Sequence, residues 1–230
     1  LILAGCVGTG ETKTYSSDPH LTGMLCVPEE AGPFPVAVFN HGGLGNIIGG
    51  APYETCSALA KAGYIGFSPI RRQTRPLFGH LDDVAAGIEY AKSHPKADPG
   101  RLGLLGFSRG GMLTYQTLTR RNDVKVAVIM AAATGPRGDA LTSQDASTVN
   151  APVLALVAAN DTGSRTTMNR DTLVSMKEMV AALKEGRKEV TLIIYPPHPG
   201  DGHQLFFSIN DYWKDVTAFL DKHLKQLKPM

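Results

Sequence analysis

The chain has 230 residues, of which 43% are hydrophobic and 19% are charged, and its formal net charge is +2. This composition excludes a disordered chain, which would have low hydrophobicity and high net charge, and it lacks the basic excess typical of nucleic-acid-binding proteins. Three cysteines are too few for a disulfide scaffold, and no apolar run reaches the ~18 residues of a membrane-spanning helix. The length suits one α/β domain with a sizeable core.

Short apolar runs alternate with amphipathic segments along most of the chain. The runs predict strands at 21–27, 35–40, 63–69, 101–107, 124–131, 153–159 and 190–195. Helical spacing of apolar residues predicts helices at 52–61, 81–91, 110–120, 173–186 and 212–227. This alternation predicts a mostly parallel sheet with helices on both faces, whose strands end at one rim where ligands bind. We expect a single domain over residues 18–230, with 135–150 as a small lid.

The first residues resemble a bacterial lipoprotein signal. Leu3-Ala4-Gly5-Cys6 is similar to the lipobox, in which small residues precede a cysteine that becomes lipidated, and residues 7–17 are small and polar like a tether. On this interpretation residues 1–17 are a signal remnant and tether, and the native protein is secreted or attached to the bacterial cell envelope through Cys6. The alternative is an ordinary apolar start to a strand in a cytoplasmic protein.

The other two cysteines have less distinctive surroundings. Cys56 falls in a helical apolar series with Tyr53, Leu59 and Ala60, which is typical of a small core residue. The sequence leaves open whether Cys56 pairs with Cys26.

A G-x-S-x-G motif at residues 106–110 contains the candidate nucleophile, Ser108. The motif alone is weak evidence, but here it follows an apolar strand and opens a helix. A serine on such a tight turn needs small neighbours, because strand and helix approach closely, and its Oγ then projects above the rim of the sheet. The alternative is a glycine-rich turn that binds phosphate at the helix N-terminus.

A serine hydroxyl needs a base, an orienting acid and oxyanion donors to act as a nucleophile. Asp161 follows the strand at 153–159 and is the candidate acid, the alternative being a turn cap. The backbone amides of Gly43 and Arg109 are the candidate oxyanion donors. We expect His41, in the same loop as Gly43, to shape that loop without needing to titrate.

Two histidines between the last strand and the last helix are candidates for the base. Prolines flank His198 on both sides and limit how its ring can turn inward. The glycines before His203 allow the chain to turn back over the rim, and an apolar anchor follows it. We therefore predict His203 as the base, with His198 as the alternative.

Together these motifs resemble the α/β-hydrolase superfamily, and within it the dienelactone-hydrolase-like and prolyl-oligopeptidase-like branch. The resemblance extends from about Leu21 to Leu227 and is carried by 39–43, 97–101, 106–111, 152–161 and 202–203. It implies the α/β-hydrolase fold and a serine esterase that acts on small or short-acyl esters. Dienelactone hydrolases proper use a cysteine where this chain has Ser108, so lactone specificity does not follow. A serine peptidase, an amidase or a lactone hydrolase is the alternative, and a non-catalytic binding protein is a third class.

Three arginines follow the strand at 63–69, on the expected rim. Arg71, Arg72 and Arg75 are candidates for holding a substrate carboxylate by paired hydrogen bonds. The alternative is that they are solvated, or that one of them binds Asp82 or Asp83. Because His20, His80, His94 and His223 show no metal-ligand spacing, we expect neither a catalytic metal nor another cofactor. The expected partner is a small-molecule ester.

Overall fold

The computed structural model describes residues 10–43, 47–74, 78–132 and 143–226. The lipobox-like Leu3–Cys6, residues 135–142 of the expected lid and Arg75 lie outside the described residues.

Within the described residues, eight strands form one sheet in the order β1-β2-β4-β3-β5-β6-β7-β8. The strands are β1 Glu11–Thr14, β2 Thr22–Cys26, β3 Phe34–Asn40, β4 Ile65–Pro69, β5 Ala97–Phe107, β6 Val124–Met130, β7 Val153–Ala158 and β8 Val190–Tyr195. The helices are α1 Pro52–Lys61, α2 His80–Lys92, α3 Arg109–Leu118, α4 Ser143–Ser147, α5 Thr172–Glu185 and α6 Trp213–Leu220. A 3-10 helix spans Gly202–Phe206, and a π-helical turn spans Asp221–Lys225. This arrangement confirms the predicted α/β-hydrolase fold.

Strands β3 to β8 run parallel, and β2 is antiparallel to both of its neighbours. All six residues of β7 are buried, as expected for a parallel strand covered on both faces. Side chains of β3 alternate between two apolar clusters: Val36 and Val38 belong to one, and Ala37 and Phe39 to the other. The core therefore lies on both sides of the sheet, and the carboxyl ends of the parallel strands form one rim.

Strand β1 corrects the expectation that residues 11–14 belong to a tether. These residues instead form an edge strand whose backbone pairs with β2, from Glu11 opposite Leu25 to Thr14 opposite Thr22. The side chains of β1 are polar and mostly exposed, so they show no apolar alternation that could have predicted a strand.

Cys26 and Cys56 form a disulfide, which the sequence left open. The bond joins the end of β2 to α1, with a Cα–Cα distance of 5.6 Å and a sequence separation of 30. Both side chains are fully buried, so the predicted burial of Cys56 is confirmed while its pairing is new.

Candidate active site

The backbone of Ser108 has the strained geometry expected of a nucleophile on a tight turn. Its φ of 53° and ψ of −119° lie in a region that non-glycine residues rarely adopt, at a cost of about 1–3 kcal/mol. Two backbone hydrogen bonds hold the turn: the Ser108 amide donates to the Met130 carbonyl at 2.9 Å, and the Met112 amide donates to the Ser108 carbonyl at 3.1 Å. The turn therefore ties β5 to β6 and to the start of α3.

Close packing around the turn explains the second glycine of the motif. A Cβ on Gly110 would lie 1.9 Å from the carbonyl oxygen of Asn40 and 2.5 Å from that of His41. No side chain fits there, because the first turn of α3 contacts the backbone at the end of β3. This contact brings Ser108 and the loop after β3 together.

Asp161 and His203 form a buried pair on the neighbouring turns. His203 Nδ1 lies 2.8 Å from Asp161 Oδ2, and both side chains are almost completely buried. A Cβ on Gly202 would lie 2.5 Å from the amide nitrogen of Asp161, so the loop that carries His203 packs directly on the turn after β7. With Nδ1 donating to the carboxylate, Nε2 of a neutral His203 ring is the acceptor for a proton.

The ring of His203 lies against the nucleophile turn. Its centroid is 4.6 Å from that of Phe107, the residue directly before Ser108. The phenyl ring of Phe207 approaches both of these rings, with centroids 5.6 Å from Phe107 and 6.4 Å from His203. The structure thus brings Asp161 and His203 into direct contact and places the His203 ring beside the turn that carries Ser108.

His198 has a different environment. Its backbone amide donates to the side-chain oxygen of Asn160 at 2.9 Å, and the Asn160 side-chain nitrogen donates to its carbonyl at 2.8 Å. Its ring Nδ1 is buried without a hydrogen-bond partner among the described residues. Asp161 is therefore paired with His203 and not with His198.

The loop after β3 lies beside the nucleophile. The amides of Gly42 and Gly49 each donate to the other residue's carbonyl, at 2.9 and 3.0 Å, and close the loop. A Cβ on Gly42 would lie 3.0 Å from the Ser108 Cβ, so loop and nucleophile are in close contact. In the part of the chain that the structure describes, the Gly43 amide has no acceptor. Arg109 is the first residue of α3, where amides point out of the helix.

His41 links this loop to β4. The Arg71 amide donates to His41 Nε2 at 3.3 Å, which leaves the proton on Nδ1, and Nδ1 donates to the Gly42 carbonyl at 2.6 Å. Burial, and next the charge of Arg71, lower the pKa of His41 to about 3, so its ring is neutral at ordinary pH. His41 therefore holds the loop through hydrogen bonds without being charged.

The candidate arginines have separate environments. Arg72 is bound to Asp83 through its amide at 2.9 Å and its guanidinium at 2.6 to 3.0 Å, as the alternative interpretation had it. Arg71 is 3% exposed, and its Nε and one terminal nitrogen have no partner among the described residues. Burial, and then the charge of Arg109, lower the pKa of Arg71 to about 9, so it remains charged at neutral pH.

Among the residues that the structure describes, no group of three or more His, Cys, Asp or Glu side chains is arranged to hold a metal ion. No helix in the same residues has the length and apolar character needed to cross a membrane.

Known proteins resemble this chain in sequence and in structure. The model of the dienelactone hydrolase family matches residues 70–212. A Methylorubrum extorquens protein named "Putative carboxymethylenebutenolidase" is 26% identical over 213 residues, which are 81% of this chain and 69% of that protein. A Klebsiella pneumoniae structure described as "Putative Dienelactone Hydrolase" has a TM-score of 0.69 at 19% identity, covering 93% of this chain and 98% of that one. Pyrococcus horikoshii acylaminoacyl peptidase has a TM-score of 0.76 at 20% identity, but this chain spans only 43% of it. At these identities the two structures show a shared fold.

Proposed function

The chain belongs to the dienelactone hydrolase family, and we propose that within it the protein is a serine carboxylesterase that cleaves small or short-acyl esters. The family supports an enzyme that hydrolyses esters or related bonds. One observation carries the esterase proposal: His203 and Asp161 form a buried pair, and the His203 ring packs beside the strained turn of Ser108.

In the proposed reaction, His203 Nε2 removes the proton of Ser108 Oγ as that oxygen attacks the ester carbonyl. The amides of Gly43 and Arg109 donate hydrogen bonds to the oxyanion that forms. The proton on Nε2 then passes to the leaving alcohol, and the carbon–oxygen bond to that alcohol breaks. A water molecule gives a proton to His203 and attacks the acyl-enzyme. His203 then passes that proton to Ser108 Oγ as its bond to the acyl carbon breaks, which restores Ser108 and releases the acid. Asp161 keeps the ring in the required tautomer and stabilises the imidazolium.

We further propose that Arg71 recognises a carboxylate on the substrate. A buried cation without a carboxylate partner among the described residues is costly, and a guanidinium suits paired hydrogen bonds to a carboxylate. Arg71 also borders the catalytic loop through its contact with His41. Arg72 is a weaker candidate for binding a substrate carboxylate than the sequence indicates, because its guanidinium already forms an ion pair with Asp83.

We also propose that the native protein acts outside the cytoplasm. The lipobox-like Leu3–Cys6 supports export. The Cys26–Cys56 disulfide is independent support, because disulfides persist mainly in oxidising compartments.

A fluorophosphonate probe and a substrate panel test the esterase proposal. An activated serine should be labelled, with the modification located on Ser108 by mass spectrometry. In the panel, p-nitrophenyl esters of increasing acyl length are compared with aminoacyl anilides and with lactones. Turnover concentrated on the short esters supports the proposal. Preference for anilides or lactones would assign the same site to a peptidase or a lactonase, and an unlabelled serine without turnover would point to a binding protein.

A further inference from the structure

The side chain of Asp201 connects the two loops that carry the acid and the base. One carboxylate oxygen accepts a hydrogen bond from the backbone amide of His203 at 2.9 Å, which also caps the 3-10 helix. The other oxygen accepts hydrogen bonds from the hydroxyl of Ser164, at 2.8 Å, and from that of Thr166. Ser164 and Thr166 lie in the loop that follows Asp161. Asp201 therefore holds that loop and the His203 loop together.

The charge of Asp201 is maintained by these contacts. Partial burial would raise its pKa, but hydrogen bonds from Thr166, the His203 amide and Ser164 outweigh this effect, and the pKa lies below its usual value. Asp201 is therefore ionised at the pH where His203 would act as a base.

Among the described residues, the charged side chains that contact His203 are acidic. From the turn after β7, Asp161 contacts the ring itself, and from its own loop, Asp201 lies at its backbone amide. The nucleophile turn presents the uncharged Phe107, with the cation of Arg109 beyond Ser108, and the segment after the 3-10 helix presents the uncharged Phe207. An anion near an imidazole favours the protonated form of the ring.

We propose that Asp201 is a positioning residue for the reaction: it fixes His203 against Asp161, and its negative charge favours the protonated ring that forms during catalysis. This inference rests on the esterase function proposed above. Because Asp201 contacts no predicted reacting atom, its effect is expected in kcat and in the titration of His203, with KM little changed.

The titration of the His203 imidazole, followed by NMR, tests the charge effect without any substrate. Asp201→Asn keeps the size of the side chain and removes the charge. Loss of the nearby anion should disfavour the protonated ring, so we expect the titration to move to lower pH, with a loss in kcat of about tenfold. Asp211→Asn is the matched control, because Asp211 is exposed and is expected to leave both values unchanged.

Two further variants separate the effect of the Asp201 hydrogen bonds to Ser164 and Thr166 from the effect of its charge. Ser164→Ala with Thr166→Val removes both hydroxyl contacts and keeps the carboxylate, so kcat should fall while the His203 titration does not move. Asp201→Ser retains a capping oxygen without the charge, and it replaces Asp201→Asn if that variant does not fold.

The readouts separate failure of this inference from failure of the esterase proposal. An unchanged His203 titration in a folded, uncharged Asp201 variant would overturn the inference, whether or not the protein is an esterase. A wild-type protein that a fluorophosphonate does not label would overturn the esterase proposal, while the titration still reports the effect of Asp201.

Discussion

Ser108 is held in an unfavourable backbone conformation by hydrogen bonds to β6 and α3, not by its own side chain. Ser108→Ala deletes one oxygen and leaves those bonds in place, so the fold should survive. Turnover of a short p-nitrophenyl ester should fall by about 10⁴-fold or more. Thermal unfolding serves as the check on folding. A folded variant that keeps more than about a tenth of wild-type kcat would contradict the proposed mechanism.

The two histidines near the rim differ in what their side chains contact. The His203 ring binds Asp161, whereas His198 is held by Asn160 through its backbone, which a change of side chain leaves in place. At pH 8, His203→Ala should lower ester hydrolysis by about 10³-fold or more. His198→Ala should remain within about tenfold of wild type. The opposite pattern would transfer the role of base to His198.

The two neighbouring arginines allow a matched comparison. Arg71→Met removes the buried cation, so KM for an ester that carries a carboxylate should rise by about 10- to 100-fold, as for the loss of a charged hydrogen bond. KM for a neutral ester of the same shape should not change. Arg72→Met removes the guanidinium contacts with Asp83 and should lower stability without distinguishing the two esters. Equal effects of Arg71→Met on both esters would argue against carboxylate recognition.

At the level of elements, the site depends on how closely α3 approaches β3. Gly110→Ala would place a methyl group 1.9 Å from the Asn40 carbonyl oxygen, so α3 must move away from the strand. We expect a loss of about 1–3 kcal/mol in unfolding free energy, measured by urea denaturation, together with lower kcat, because Ser108 directly precedes this helix.

Gly186→Ala is the control for this change. Gly186 has a φ of −71° at the end of α5, and a Cβ there would have its nearest contact at 3.3 Å. If both alanine variants were equally stable and active, the contact between α3 and β3 would not be needed for the geometry of the site.

At the level of the whole molecule, the disulfide ties the antiparallel β2 to α1. Cys26 pairs with Gly66 near the start of β4, at the end of the strand that lies away from the active-site rim. Closing a loop of this length stabilises a protein by about 3.5 kcal/mol in the chain-entropy model. Replacing both cysteines by serine should therefore lower the urea midpoint strongly and leave KM unchanged below it.

The reducing agent gives the control for that experiment. Dithiothreitol should lower the stability of the wild type toward that of the double-serine variant and should not affect the variant. If the wild type were equally stable in oxidising and reducing buffer, the disulfide would not contribute to stability.

The sequence by itself determined most of the element order, the nucleophile turn and the positions of the candidate acid and base. Apolar periodicity and the G-x-S-x-G turn are local properties, so they can be recognised without the fold. The edge strand β1 lacks such a pattern and was missed, because only its backbone pairs.

The tertiary structure decided the relations between distant loops. In the folded chain Asp161 pairs with His203, and Arg72 binds Asp83. Arg71 is buried without a carboxylate partner among the described residues. Cys26 and Cys56 form a disulfide. The tertiary structure also brought Asp201 between the two catalytic loops, where the sequence showed only an aspartate in a turn. These outcomes depend on which strand ends are neighbours in the sheet and how closely their loops pack, and neither is encoded in the spacing of residues along the chain.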